Sequence, residues 1–113
     1  MNYVIYEAKV TSGELSSTLT PGRAFALHEV RFHATSLCAS GELAVTQIHG
    51  SDSAYNTKVY ASEIGGFQHV VNLFDPHCVF NPADSLRVTA PNTNSNTYAV
   101  ALVYVYVGGQ FYG

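Results

Sequence analysis

Thr97-Tyr98-Ala99-Val100-Ala101-Leu102-Val103-Tyr104-Val105-Tyr106-Val107 runs without a charge, a proline or a glycine. On an extended chain successive side chains alternate between faces. Tyr98, Val100, Leu102, Tyr104 and Tyr106 therefore share one face, and Ala99, Ala101, Val103, Val105 and Val107 the other. β-Branched and aromatic residues favour a pleated, packed surface. The segment therefore reads as a strand that is apolar on both faces, whereas an antiparallel strand normally keeps one face polar. Left in water it is an aggregation hazard, so its second face needs a cover. Either another part of the chain supplies that cover, such as Tyr3–Tyr6 or the connection Thr11–Arg23, or a sister copy does. Apolar strand faces with small residues and tyrosine suit permanent oligomers. Tyr98, Val100, Leu102, Val103, Tyr104, Val105, Tyr106 and Val107 are accordingly the expected subunit-contact residues.

Upstream, short apolar runs alternate with clusters of Gly, Pro, Asn, Asp and Ser, and no segment of useful length has a helical period. Strands are expected at about Tyr3–Val10, Ala24–Thr35, Glu42–His49, Tyr55–Ala61, Phe67–Leu73 and Leu86–Ala90, before the last at Thr97–Val107. Thr11–Arg23 reads as a polar connection closed by Thr20-Pro21-Gly22. In Ala24–Thr35 the apolar phase reverses, from Phe25 and Leu27 to Val30 and Phe32, which predicts a bulge or a twist near Leu27-His28. Cys78-Val79-Phe80 lies between Asp75-Pro76 and Asn81-Pro82, and prolines at both borders confine it to an edge or a loop. Seven or eight strands with loops every 8–12 residues or so form the pattern of a β-sandwich or barrel. Residues 1–113 read as one domain, with 108–113 as a glycine-hinged tail whose Phe111 and Tyr112 are candidate docking anchors.

The balance of five Lys+Arg against eight Asp+Glu, a net charge of −3, argues against a nucleic-acid binder. Hydrophobic residues at 47% argue against disorder. No apolar run reaches the ~20 residues that span a bilayer, and Met1–Glu7 lacks the basic start and apolar core of a signal peptide. Cys38 and Cys78 are too few for a disulfide scaffold, so two buried free thiols and synthesis in a reducing cytoplasm are expected.

Chemistry-bearing patterns are weak. Of His28, His33, His49, His69 and His77, no two sit two apart in one strand, and zinc sites show paired ligands at short spacings. Asp52, Asp75 and Asp84 are scattered over three loops, unlike a calcium loop. Gly50-Ser51-Asp52-Ser53 is no nucleophile elbow, and adjacent side chains such as His77 and Cys78 diverge on a strand. The expectation is a protein without catalytic residues, metal or cofactor. Tyr55, Tyr60 and Phe67 flank loops where a sugar could stack, although the chain has no Trp, the broadest stacking surface.

From Arg23 to Val107 the chain resembles the small β-sandwich head decoration (cement) proteins of tailed bacteriophages. The likeness lies in Ala24–His33 entering after a Pro-Gly turn, in Gly50-Ser51-Asp52-Ser53-Ala54-Tyr55-Asn56-Thr57, in Asn81-Pro82-Ala83-Asp84-Ser85-Leu86-Arg87-Val88, and in Pro91–Tyr98. The resemblance implies an all-β, antiparallel, jelly-roll-like sandwich that forms a homotrimer. It also implies a seat on the major capsid protein or another virion component, assembly in the host cytoplasm, and no catalysis. Carbohydrate-binding modules share the Asp-Ser-Leu-x-Val strand opening, which makes a glycan-binding module on a virion surface or fibre the alternative.

Overall fold

The computed structural model describes residues 3–50 and 56–107, the side chains of 75–77 excepted. Eight strands follow one another: β1 (Val4–Val10), β2 (Leu15–Leu19), β3 (Phe25–Ala34), β4 (Glu42–Ile48), β5 (Thr57–Glu63), β6 (His69–Phe80), β7 (Ser85–Ala90) and β8 (Tyr98–Tyr106). They form two four-stranded antiparallel sheets, ordered β1-β8-β3-β6 and β2-β7-β4-β5. The chain steps between sheets at nearly every connection. The result is a jelly-roll-like β-sandwich, as the strand spacing and turn clusters predicted.

The two sheets bury one face each against the other. From the first sheet come Phe25, Leu27, Val30, Phe32, Val100, Leu102 and Tyr104; from the second come Leu15, Leu43, Val45, Leu86 and Val88. Phe32 meets Tyr98 edge-on at 4.9 Å, and Phe25 stacks on Phe80 at 5.1 Å, arrangements that aromatic rings favour. The phase reversal in β3 is a register shift between Leu27 and Glu29 against both β6 and β8. It lets Phe25 and Leu27, then Val30 and Phe32, all face the core.

β6 differs from expectation in length. Phe67–Leu73 and Cys78–Phe80 belong to one edge strand, with Leu73 opposite Glu29 and Cys78 opposite Leu27. The residues between, Pro76 among them, bulge out, which an edge strand tolerates because the missing N–H breaks no ladder bond. β2 was hidden in the polar connection. It is also an edge strand, so two leucines suffice: Leu15 and Leu19 turn inward, and Ser16 and Thr18 face solvent. Its Ser17 hydroxyl hydrogen-bonds the Tyr6 hydroxyl, tying the two sheets together. Gly22 adopts φ 77° in the turn before β3, a conformation costly for other residues.

Both cysteines are free, and they lie towards opposite ends of the β3–β6 ladder. Cys78 pairs with Leu27, whereas Cys38 bridges Gly65 beyond the His33–His69 pair. Cys38 is buried as expected; Cys78 is only half-buried.

Candidate interaction surface

β8 is a central strand, flanked by β1 and β3, and this decides what its two faces do. Tyr98, Val100, Leu102 and Tyr104 point into the chain's own core, and Tyr106 packs against its margin under the Arg23 guanidinium, 4.2 Å from the ring centre. Burial of Tyr98, Val100, Leu102 and Tyr104 in the chain's own core corrects the expectation that these four are subunit contacts; Tyr106 is half-buried. The other face is also largely covered within one chain: Val103 is 6% exposed and Val105 4%. Val103 lies between Ile5 on β1 and Glu29 on β3, whose longer side chains shade it. Of the two segments expected to cover this face, Tyr3–Tyr6 does so in part, through Ile5 beside Val103, and Thr11–Arg23 does not. The first leads into the neighbouring strand of the same sheet, and the second holds β2 of the opposite sheet. Val103 and Val105 are thus shaded within one chain, while Ala99, Ala101 and Val107 on the same face, and Tyr106 on the other, stay half-buried.

The apolar exposure has moved to the flanking strands. Ile5, Val71, Leu73 and Val79 are 59%, 61%, 61% and 67% exposed. The ladder arranges the outer face in rows across β1, β8, β3 and β6. One row is Ile5, Val103, Glu29, Leu73; the next is Glu7, Ala101, Arg31, Val71; the third is Lys9, Ala99, His33, His69. At the other end Val105, Ala26 and Val79 are in register, and the Tyr3 ring lies against His28, tilted by 36°, at 4.7 Å. One end of the face is thus apolar and the other polar. Between them Glu29, nearly buried, is ion-paired with exposed Arg31. That carboxylate raises the Arg31 pKa further, through hydrogen bonding first and charge second.

Because β8 contributes only Ala99 and Ala101 to the polar end, a groove of about 590 Å³ lies there, walled by Glu7, Lys9, Arg31, His33 and His69. His33 and His69 are direct cross-strand partners, with Nδ1 atoms 3.0 Å apart and ring centres at 4.4 Å. Sequence reasoning passed over this pair because it compared histidines within one strand. The two are 36 positions apart, and only the register brings them together.

The remaining candidates have structural roles or fall elsewhere. Asp84 is buried; its carboxylate accepts hydrogen bonds from Gln47 Nε2 and the Asn81 N–H, both at 3.0 Å, and lies 3.4 Å from His49 Nδ1. Glu63 accepts from the N–H groups of Gly41 and Gly65 at 2.7 and 2.8 Å, which hold its carboxyl below the usual range. The Tyr98 hydroxyl donates to the Pro91 carbonyl at 2.8 Å. Burial, then the Cys38 thiol, pushes its pKa up to about 12. Burial, then Tyr106, does the same to Tyr104. Of the sugar-stacking candidates, Tyr60 and Phe67 border one depression between β5 and β6. Tyr60 is half-buried, edge-on to Phe74 at 6.0 Å, and Phe67 is exposed. Tyr55, Phe111 and Tyr112 lie outside the described residues. Among the described residues no three His, Cys, Asp or Glu side chains converge as a metal cage, and no helix is long and apolar enough to cross a membrane.

No protein-family model matches the chain, and no curated protein matches it. Several solved structures are similar in shape. The Yersinia pseudotuberculosis-derived mitogen aligns over 94% of this chain and 86% of its own, with 15% identity and a TM-score of 0.51. The CBM32 of AlyQ, solved with 4,5-unsaturated mannuronic acid, aligns over 85% and 75%, with 18% identity and a TM-score of 0.49. A structure of infectious bursal disease virus, Gx strain, aligns over 96% of this chain and 34% of its own, with 14% identity and a TM-score of 0.46. At such identities the likeness concerns the fold alone: a β-sandwich shared by proteins of different kinds.

Proposed function

We propose that the chain is a non-enzymatic virion structural protein, a decoration protein of a tailed-phage head. In this reading it self-associates as a homotrimer and seats on the major capsid protein. The class is taken from the sequence resemblance. The observation that supports self-association is the apolar exposure on the outer face of the first sheet, Leu73, Val71 and Val79 along β6 and Ile5 on the opposite edge strand. Apolar patches of this kind mark contact surfaces when rimmed by polar residues. The rim here, Glu7, Lys9 and Arg31, carries both signs of charge. A mixed rim suits a surface that is itself mixed, such as another copy, better than a one-signed partner such as nucleic acid.

The size of the face sets the strength. Four strands about 4.8 Å apart and roughly seven residues long project to about 450 Å², below the ~800 Å² per partner of a standard interface. The face alone therefore makes a smaller contact than a standard interface, strengthened when copies are held side by side on a shell. Light scattering across ~1–100 µM is the test: the mass is expected to rise towards three chains, and a monomer throughout overturns the reading. The glycan-binding alternative has Phe67 as its one exposed ring among Tyr60 and Phe67, and a glycan array without signal removes it.

A further inference from the structure

We propose that His33 and His69 form a two-imidazole site for a divalent transition-metal ion on the outer face of the first sheet. The inference is independent of the proposed function and holds for a single chain.

The pairing is fixed by the backbone, because the two residues are direct partners in the β3–β6 ladder and both side chains are exposed. Their Nδ1 atoms are 3.0 Å apart. Imidazole nitrogens sit about 2.0–2.1 Å from a bound ion, so the two would subtend ~95° at one placed between and above them. That is the angle between adjacent ligands in square-planar or octahedral coordination, the geometries of copper(II) and nickel(II). Tetrahedral zinc wants the nitrogens ~3.3 Å apart, a small opening of two exposed rings.

The same two nitrogens are hydrogen-bonded to each other, one ring donating N–H to the bare nitrogen of the other, so a bound ion takes the place of the shared proton. The ring centres lie 4.4 Å apart with planes inclined by 39°, and both rings line the groove. The neighbour of His33 on β8 is Ala99, which leaves the space beside the rings open as part of the groove. Charge does not oppose a cation, since Glu7 and the Glu29 partner of Arg31 offset Lys9 and Arg31. Two protein ligands leave the other positions to water, in keeping with the absence of a three-residue cage among the described residues. Each ring must present a bare Nδ1 to the ion, so hydrogen held there passes to Nε2 or to solvent as the ion binds.

Among ions that bind imidazole, copper(II) should bind tightest, then nickel(II) and zinc. Calorimetric titration of the tag-free chain with copper(II) and with zinc, in a non-chelating buffer, is the test. One ion per chain is expected, in the micromolar range for copper. His33→Gln and His69→Gln should each weaken it at least tenfold, and His28→Gln should leave it unchanged. Electron paramagnetic resonance of the copper form should show nitrogen coupling that falls in either ladder variant. Because both residues are exposed, circular dichroism of the variants should match the parent. No saturable copper binding below ~1 mM, or binding that survives both ladder substitutions, overturns the proposal.

Discussion

Replacing Leu73 by lysine tests the outer face without disturbing the fold. Fully burying a leucine side chain is worth about 1.5–3 kcal/mol relative to leaving it exposed. Leu73 retains 61% of its exposure, so about 1–2 kcal/mol per chain is still to be gained when a sister copy covers it. Leu73→Lys forfeits that gain and adds the desolvation of an ammonium group. The association constant should therefore fall at least ~10-fold. In the folded single chain the same residue lies on an exposed edge-strand face, where substitutions stay within about ±0.5 kcal/mol. The assay is sedimentation equilibrium of both proteins over the same concentration range, with urea unfolding of each alongside. Unchanged association refutes the placement of the contact on this face. A fall in urea midpoint as large as that for a core residue refutes the reading of Leu73 as a surface group.

Val103→Asp gives the contrasting outcome: it buries an unpaired carboxylate between Ile5 and Glu29, should cost about 3 kcal/mol or more of stability, and a native urea midpoint refutes the burial. Asp84→Ala leaves the Gln47 amide and the Asn81 N–H without their acceptor, at about 2–4 kcal/mol, read as the shift in urea midpoint. Tyr98 and Tyr104 keep their protons up to about 12 when folded, whereas in the unfolded chain tyrosine ionises near ~10. The unfolded state is then the one that loses protons first, so stability is intact below pH ~10 and falls as pH rises from there towards 12. Tyrosinate absorbance should show a late step, from Tyr98 and Tyr104, that coincides with unfolding; absence of any late step refutes it.

The architecture was legible because its signals are local. Alternation along β8, the phase reversal at Leu27-His28 and the turn clusters before β3 and β8 all act within a few residues. β2 was hidden because an edge strand with Leu15 and Leu19 as its inward residues is hardly distinguishable from a polar connection. The exposed apolar residues were misplaced for a different reason. Apolar character on both faces of β8 marks a strand in the middle of a sheet, shaded by neighbours, as readily as one awaiting a partner. Which of the two applies depends on strand order, a non-local property. Ile5, Val71, Leu73 and Val79 each sit in strands with mixed neighbours, and only the ladder gathers them. His33 and His69 escaped notice in the same way.

The position of β8 between β1 and β3 also bears on synthesis. β1 leaves the ribosome first, yet the strand that completes its ladder is the eighth to appear, more than eighty residues later. Until then the first sheet lacks its middle and β1 has no neighbour to pair with. Completion of the first sheet must therefore wait until β8 has been made, with the slow kinetics of long-range strand pairing. Nascent chains stalled before Tyr98 should remain open and sensitive to proteases.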